Sequence, residues 1–137
     1  METLRITKAD LNERNEYTRS RDLEFEGHIE IEASLGWVKI LGLIRAAGGL
    51  SIEAGSSIEA GSSIKAGLSI EAGESIKAGW SIRCKAKLTV KLRIFAGLCT
   101  WRLPKPEQQV IECAELAEGA VCFGTLKLLE APKKEGK

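Results

Sequence analysis

The sequence predicts a mainly β fold: a hexapeptide β-solenoid with an irregular β cap at its N-terminal end and a small α+β cap at its C-terminal end. Three observations predict it. An Ile recurs every six residues, at Ile52, Ile58, Ile64, Ile70, Ile76 and Ile82, which is neither the 3.6 period of a helix nor the alternation of one long strand. A Gly stands three residues after each of the first five, at Gly55, Gly61, Gly67, Gly73 and Gly79. Finally, KLTVKLRIF, an alternating strand, leaves the repeats directly.

Residues 1–34 are the expected N-terminal cap. They carry five basic and nine acidic groups. In DLEFEGHIEIEA, Leu23, Phe25, His28, Ile29 and Ile31 are interleaved with acidic residues, which reads as a strand with one wet face. The opening METLRITKADLNERNEYTRSRD has no apolar core, so no secretory signal peptide is expected. No apolar run approaches the length of a membrane span, and no membrane partner is expected.

Residues 35–103 are the expected solenoid. Val38 and Ile44 already sit six apart around Gly42, and AAGG at 46–49 reads as an irregular corner. Clear hexads then run from Ser51 to Ala86 as SIEAGS, SIEAGS, SIKAGL, SIEAGE, SIKAGW and SIRCKA. Each is a short extended segment whose period of two puts Ile and Ala on one face and Ser and Glu or Lys on the other. Gly supplies a corner, and its freedom at positive φ is the expected reason for its position. One unit cannot bury its own apolar face, so successive turns must stack. With three hexads per coil, Glu59 would meet Lys77, Glu53 would meet Glu71 and Lys65 would meet Arg83.

On the six Ile positions the chain resembles the hexapeptide-repeat left-handed β-helix class, in which an aliphatic residue at every sixth position fills a triangular core. The I-x-A-G phrasing is also similar to uncharacterised repeat proteins of anaerobic bacteria and their phages, and more distantly to the bactofilin scaffolds. The first resemblance would imply acyltransferase chemistry at a histidine. The one histidine is His28, outside the repeats and with no recognisable partner, so no enzyme and no cofactor are expected.

The strand after the repeats carries the candidate binding site. Trp80, Arg83, Lys85, Lys87, Lys91, Arg93, Trp101 and Arg102 form a basic and aromatic cluster with no acid between 83 and 102. Simple alternation places Leu88, Val90, Leu92 and Ile94 on one side and Lys87, Lys91 and Arg93 on the other. That stripe could meet nucleic acid or an acidic protein face, including the acidic 22–32 stretch of the same or a neighbouring chain. The Ser column of the hexads reads as small strand residues that tolerate stacking, rather than as a surface for ice or carbohydrate.

Residues 104–137 are the expected C-terminal cap. PKPE interrupts regular structure. QQVIECAELAEG is compatible with a short helix ended by Gly119, and AVCFGTLKLLEA with a closing strand or hairpin. Cys84, Cys99, Cys113 and Cys122 are expected as free, buried thiols in a reducing cytoplasm, with no CxxC pair to hold zinc. Together these readings predict a non-enzymatic binding protein of the cytoplasm of a bacterial host cell, with a protein partner and self-association. By analogy with accessory proteins of mobile elements, a phage-encoded inhibitor of bacterial defence is expected, anti-CRISPR-like or a nucleotide sponge. The alternatives are a bactofilin-like self-assembling scaffold and a nucleic-acid binder using the strand 83–102.

Overall fold

The structure, a computed structural model, describes residues 2–97, 105 and 109–129. Its strands follow in chain order as β1 (Thr3–Ile6), β2 (Leu23–Phe25), β3 (His28–Ile31), β4 (Gly36–Ile40), β5 (Ile44–Ala46) and β6 (Leu50–Ile52). They continue as β7 (Ser56–Ala60), β8 (Ile64–Ala66), β9 (Ile70–Ala72), β10 (Ile76–Ala78) and β11 (Ile82–Cys84). The last are β12 (Lys87–Ala96), β13 (Val110–Cys113), β14 (Glu115–Phe123) and β15 (Thr125–Leu128), and a 3-10 turn lies at Lys8–Asp10. The named strands pair in parallel, each with strands of the neighbouring coils. The fold is a parallel β-solenoid.

Three stacks form its sides. Face I runs β1, β3, β6, β9 and the first half of β12; face II runs β4, β7, β10 and the second half of β12; face III runs β2, β5, β8, β11, β13 and β15. Face II begins above β4 with a single parallel bridge between Glu16 and Lys39. β14 continues below β12 on both of its halves. With one strand per coil, face III counts six coils.

The core is a column of aliphatic side chains from each face. Ile44, Ile58, Ile64, Ile70, Ile76 and Ile82 are all fully buried, each contributing roughly 1.5–3 kcal/mol relative to an exposed side chain. Coil perimeter contracts along the axis from β1 to β12, and the step from Ile82 to Ile111 is then twenty-nine residues. Ile29 lies beside Leu50, twenty-one residues on; Ile44 lies beside Ile64, twenty on; and Ile64 lies beside Ile82, eighteen on. In the last coil Ile111 lies beside Leu126, fifteen on.

Several expectations need correction. Three strict hexads per coil hold from β7 to β12, so Glu59 meets Lys77 and Lys65 meets Arg83. Earlier, the twenty-residue step brings Ser51, not Glu53, beside Glu71. Leu50, not Ile52, occupies the main core column there, and Ile52 fills the place that Ala72 takes one coil later. The repeating glycines also have a different cause. Gly55 has φ +81, but Gly61 and Gly67 lie outside the left-handed region: a Cβ there would stand 2.2 Å from the Leu41 carbonyl oxygen and 2.1 Å from that of Ala47. Close approach of the preceding coil, not positive φ, excludes a side chain.

Strands of both flanks join the same stack. β1 pairs with β3, and β13 lies under β11 with Ile111 beside Ile82. The short helix expected over 108–119 is absent among the described residues: Val110–Cys113 and Glu115–Phe123 are strands. Parallel pairing to β11 and β12 satisfies their backbone groups along the solenoid, which outweighs a weak helical pattern.

Candidate functional site

Each face displays one outward residue per strand, so the solenoid turns sequence into vertical ladders spaced at about 4.8 Å. On face I the ladder reads Arg5, Glu30, Ser51, Glu71 and Thr89. Arg5 donates to Glu30 at 3.0 Å and to Glu53 at 2.8 Å. Its guanidinium holds the Glu53 carboxyl below the usual range. On face II the ladder reads Lys39, Glu59, Lys77 and Phe95, with alternating sign. Face III differs: Arg45, Lys65 and Arg83 stand in register on consecutive strands.

The stripe expected on one strand face, Lys87, Lys91 and Arg93, is divided between faces I and II and the corner that joins them, and Arg83 lies on face III. β12 turns a corner, with Leu88–Val90 against β9 and Ile94–Ala96 against β10. Leu92 at that corner is therefore 54% exposed instead of lying in the core row. Lys87 faces outward on face I beside Glu115. Lys91 is exposed at the corner, and Arg93 faces outward on face II, its backbone N–H donating to Ser75 Oγ at 3.3 Å. Arg83 lies on face III, paired with Glu112, and Lys85 follows at the corner after β11. Trp80 is half-buried at the corner between faces II and III, where its backbone N–H donates to the Ser62 carbonyl. Trp101 and Arg102 lie outside the described residues, as does Cys99. A coil must turn every six residues, so plain alternation over nine residues could not survive.

The acidic stretch at 22–32 pairs elsewhere than expected: Glu26 and Glu24 reach Arg45, at 2.8 and 3.9 Å. His28 faces outward on β3 and accepts the Gly49 N–H at Nδ1, 2.9 Å away, so its described contact ties one coil to the next. The serines are structural. Ser57, Ser75 and Ser81 are buried, and the Ser75 N–H donates to Ser57 Oγ at 3.1 Å. Cys84 and Cys113 are buried free thiols, whereas Cys122 is exposed, contrary to expectation. Among the described residues no group of three His, Cys, Asp or Glu side chains is gathered for a metal, and no helix is long and apolar enough to cross a membrane.

Two features were missed in the sequence. Face II gathers Trp37, 39% exposed, with the Lys77 ammonium 5.9 Å from its ring centroid. With Phe95, Arg93 and the corner residues Lys91 and Leu92, it forms an aromatic surface in which cations outnumber the one ladder carboxylate, Glu59. On face III, Arg45 and Lys65 extend Arg83 into a ladder. Only the step of eighteen to twenty residues brings these positions together, and the sequence shows that step clearly over the strict hexads alone. No protein family, curated protein or solved structure matched the chain.

Proposed function

We propose that the protein is a non-enzymatic binding module whose rigid solenoid presents face II to a protein partner with an acidic surface. One observation carries this reading: Trp37, Leu92 and Phe123 are large apolar side chains left 39–54% exposed in the neighbourhood of Lys77, Lys91 and Arg93. Trp and Arg dominate the energetics of protein interfaces, and aromatic residues are enriched there. A parallel stack with a continuous Ile core also loses little conformational freedom on docking, which favours affinity. The partner class is a component of a bacterial defence system, with the protein acting in the host cytoplasm as a phage-encoded inhibitor. The repeat-expanded sequence and its likeness to accessory proteins of mobile elements support that assignment by analogy.

The test is affinity capture from bacteria carrying an active defence system, together with phage plating efficiency in the same host. Wild type should recover a defence component and raise plating efficiency, and Trp37→Ala combined with Arg93→Glu should lose both while unfolding at the wild-type temperature. An equal effect of wild type and variant, or no capture and no change in plating, overturns the reading.

Self-assembly is a second reading, favoured by the last coil. Leu126 and Leu128 on β15 are 37% and 55% exposed, while Ile6, Tyr17 and Leu23 in the first coil are buried. Among the described residues no strand pairs with the outer edge of β15, and an apolar coil beside such an edge favours pairing with a second copy. Light scattering should show a dimer or larger species that Leu126→Glu with Leu128→Glu converts to monomer; a wild-type monomer at every concentration sinks this reading. Nucleic-acid binding along the basic strand loses its geometric support, because Lys87, Lys91 and Arg93 do not share a face.

A further inference from the structure

A groove of about 400 Å3 opens at the edge of face III, where Arg45, Lys65, Arg83 and Lys85 line one space with Ala47 and Gly67 between them and Glu112 at one end. Small residues at the corner leave room for the long cationic side chains to share. The ladder Arg45–Lys65–Arg83 sets like charges directly opposite one another twice, an arrangement that costs stability at cross-strand sites. Face I avoids it by placing Arg5 beside Glu30 and Ser51 between Glu30 and Glu71, and face II by alternating sign. A ladder that disfavours folding calls for something that neutralises it.

Intramolecular neutralisation is partial. Arg45 at one end is held by Glu24 and Glu26, and Arg83 at the other by Glu112. Among the described residues no carboxylate pairs with Lys65, the central cation, whose side chain is exposed. Carboxylates at both ends also fix the length of the positive strip. It covers three strands, so its outer cations are about 10 Å apart along the axis, two spacings of about 4.8 Å. A long polyanion running past either end would meet Glu24, Glu26 or Glu112, whereas a short chain of anionic groups would fit between them. Arg recognises phosphate by paired hydrogen bonds, and Lys acts on it as a point charge. The volume falls within the roughly 300–1,000 Å3 of small-molecule sites.

We infer that the groove on face III, built from Arg45, Lys65, Arg83 and Lys85, binds a small polyphosphate anion, either an inorganic triphosphate or the phosphate chain of a nucleotide. Its residues lie on a different face from the protein-docking surface, so the two stand independently. Binding neutralises Lys65 first and lets the flanking arginines share the ligand with their carboxylates.

Titration calorimetry with sodium tripolyphosphate, ATP and a thirty-nucleotide single strand tests this. Tripolyphosphate and ATP should each bind once per chain, with affinity falling as salt is raised, and should raise the unfolding temperature. Equal affinity for the two assigns the site to the phosphate chain alone, and tighter ATP binding assigns it to a nucleotide. Lys65→Glu should weaken either ligand at least tenfold, Lys65→Ala should weaken it while making the unligated protein at least as stable as wild type, because it relieves the like-charge ladder, and Lys77→Glu on face II should leave binding of both ligands unchanged. Absence of saturable binding by both small ligands, binding insensitive to Lys65→Glu, or much tighter binding of the long strand overturns the proposal.

Discussion

The early coils and the later ones solve the same packing problem with different perimeters. Between faces I and II the chain takes nine residues from Ile29 to Val38 and eight from Leu50 to Ile58, but six from Ile70 to Ile76. The wide corners carry the unusual backbone: Ser34 has φ +62, Gly36 +74 and Gly55 +81. They are stitched by Ser56, whose hydroxyl donates to the Glu32 carbonyl and accepts the Leu35 N–H. Core volume follows perimeter. The second inward position on face I is Ile6, Ile31 and Ile52 in the wide coils, against Ala72 and Val90 in the narrow ones; on face II, Ile40 already gives way to Ala60 after the eight-residue corner, and then to Ala78. Added residues in the wall thus go with added methylenes in the core, which keeps the interior close-packed.

The largest test of that matching is to exchange the core residues. Ile52 is 2% exposed, and Ile52→Ala would leave a wide coil with a narrow-coil filling. A loss of about 3 kcal/mol is expected, within the range for buried Ile→Ala changes. Ala72→Ile is the reverse error, an overpacked narrow coil, and should cost about 1–3 kcal/mol. If the two changes combined cost no more than Ile52→Ala alone, the coils share one interior volume; strict additivity in urea unfolding would show that each coil is filled separately.

Glycine substitutions sharpen the comparison at smaller cost. Gly67→Ala should destabilise by about 2 kcal/mol, because the added Cβ runs into backbone of the preceding coil and something must shift. Gly55→Ala should cost about 1 kcal/mol, for its left-handed conformation. Asn separates the causes: it tolerates the left-handed region, so Gly55→Asn should recover part of the loss, whereas Gly67→Asn should be no better than Gly67→Ala. Thermal unfolding of the four variants reads the difference directly.

The solenoid itself is legible in the sequence because an Ile at every sixth position has few other uses, and the coils of eighteen follow from it. The wide coils are harder to read: AAGG at 46–49 and the pairing of Leu50 with Ile70 depend on how many residues a corner holds, which composition does not announce. The final coil misleads for a related reason. Val110 and Ala114 stand four apart, as on a helical face, whereas Ile111, Leu116, Val121 and Leu126 are five apart, the step of a tight coil, and the parallel strand above decides between them. The sequence also shows that the region around Arg83 is basic, but the neighbours of Arg83 on face III are Lys65 and Arg45, reached across coils of different length.

The narrow coils should also respond to alkali in a way that the wide ones do not. Cys84 occupies the position that Ala66 fills one coil earlier, and burial, with a smaller contribution from Cys113, pushes its thiol up to about 11 from an ordinary value of 9.0. Below pH 9 the thiol is protonated in both folded and unfolded chains, so its contribution is constant. Between about 9 and 11 the unfolded chain loses the proton while the folded chain keeps it, and stability falls as pH rises. Cys84→Ala, which restores the residue of the coil above, should flatten that part of the fall, so wild type and variant should diverge between pH 9 and 10.5 in urea unfolding. Parallel curves would show that Cys84 does not contribute. The same burial predicts thiol reactivity: Cys122 is exposed and should react with a disulfide reagent in the native protein, while Cys84 and Cys113, buried and held as protonated thiols, should wait for unfolding because the thiolate is the reactive form. Rapid native labelling of Cys84 would mean that the narrow coils open without global unfolding.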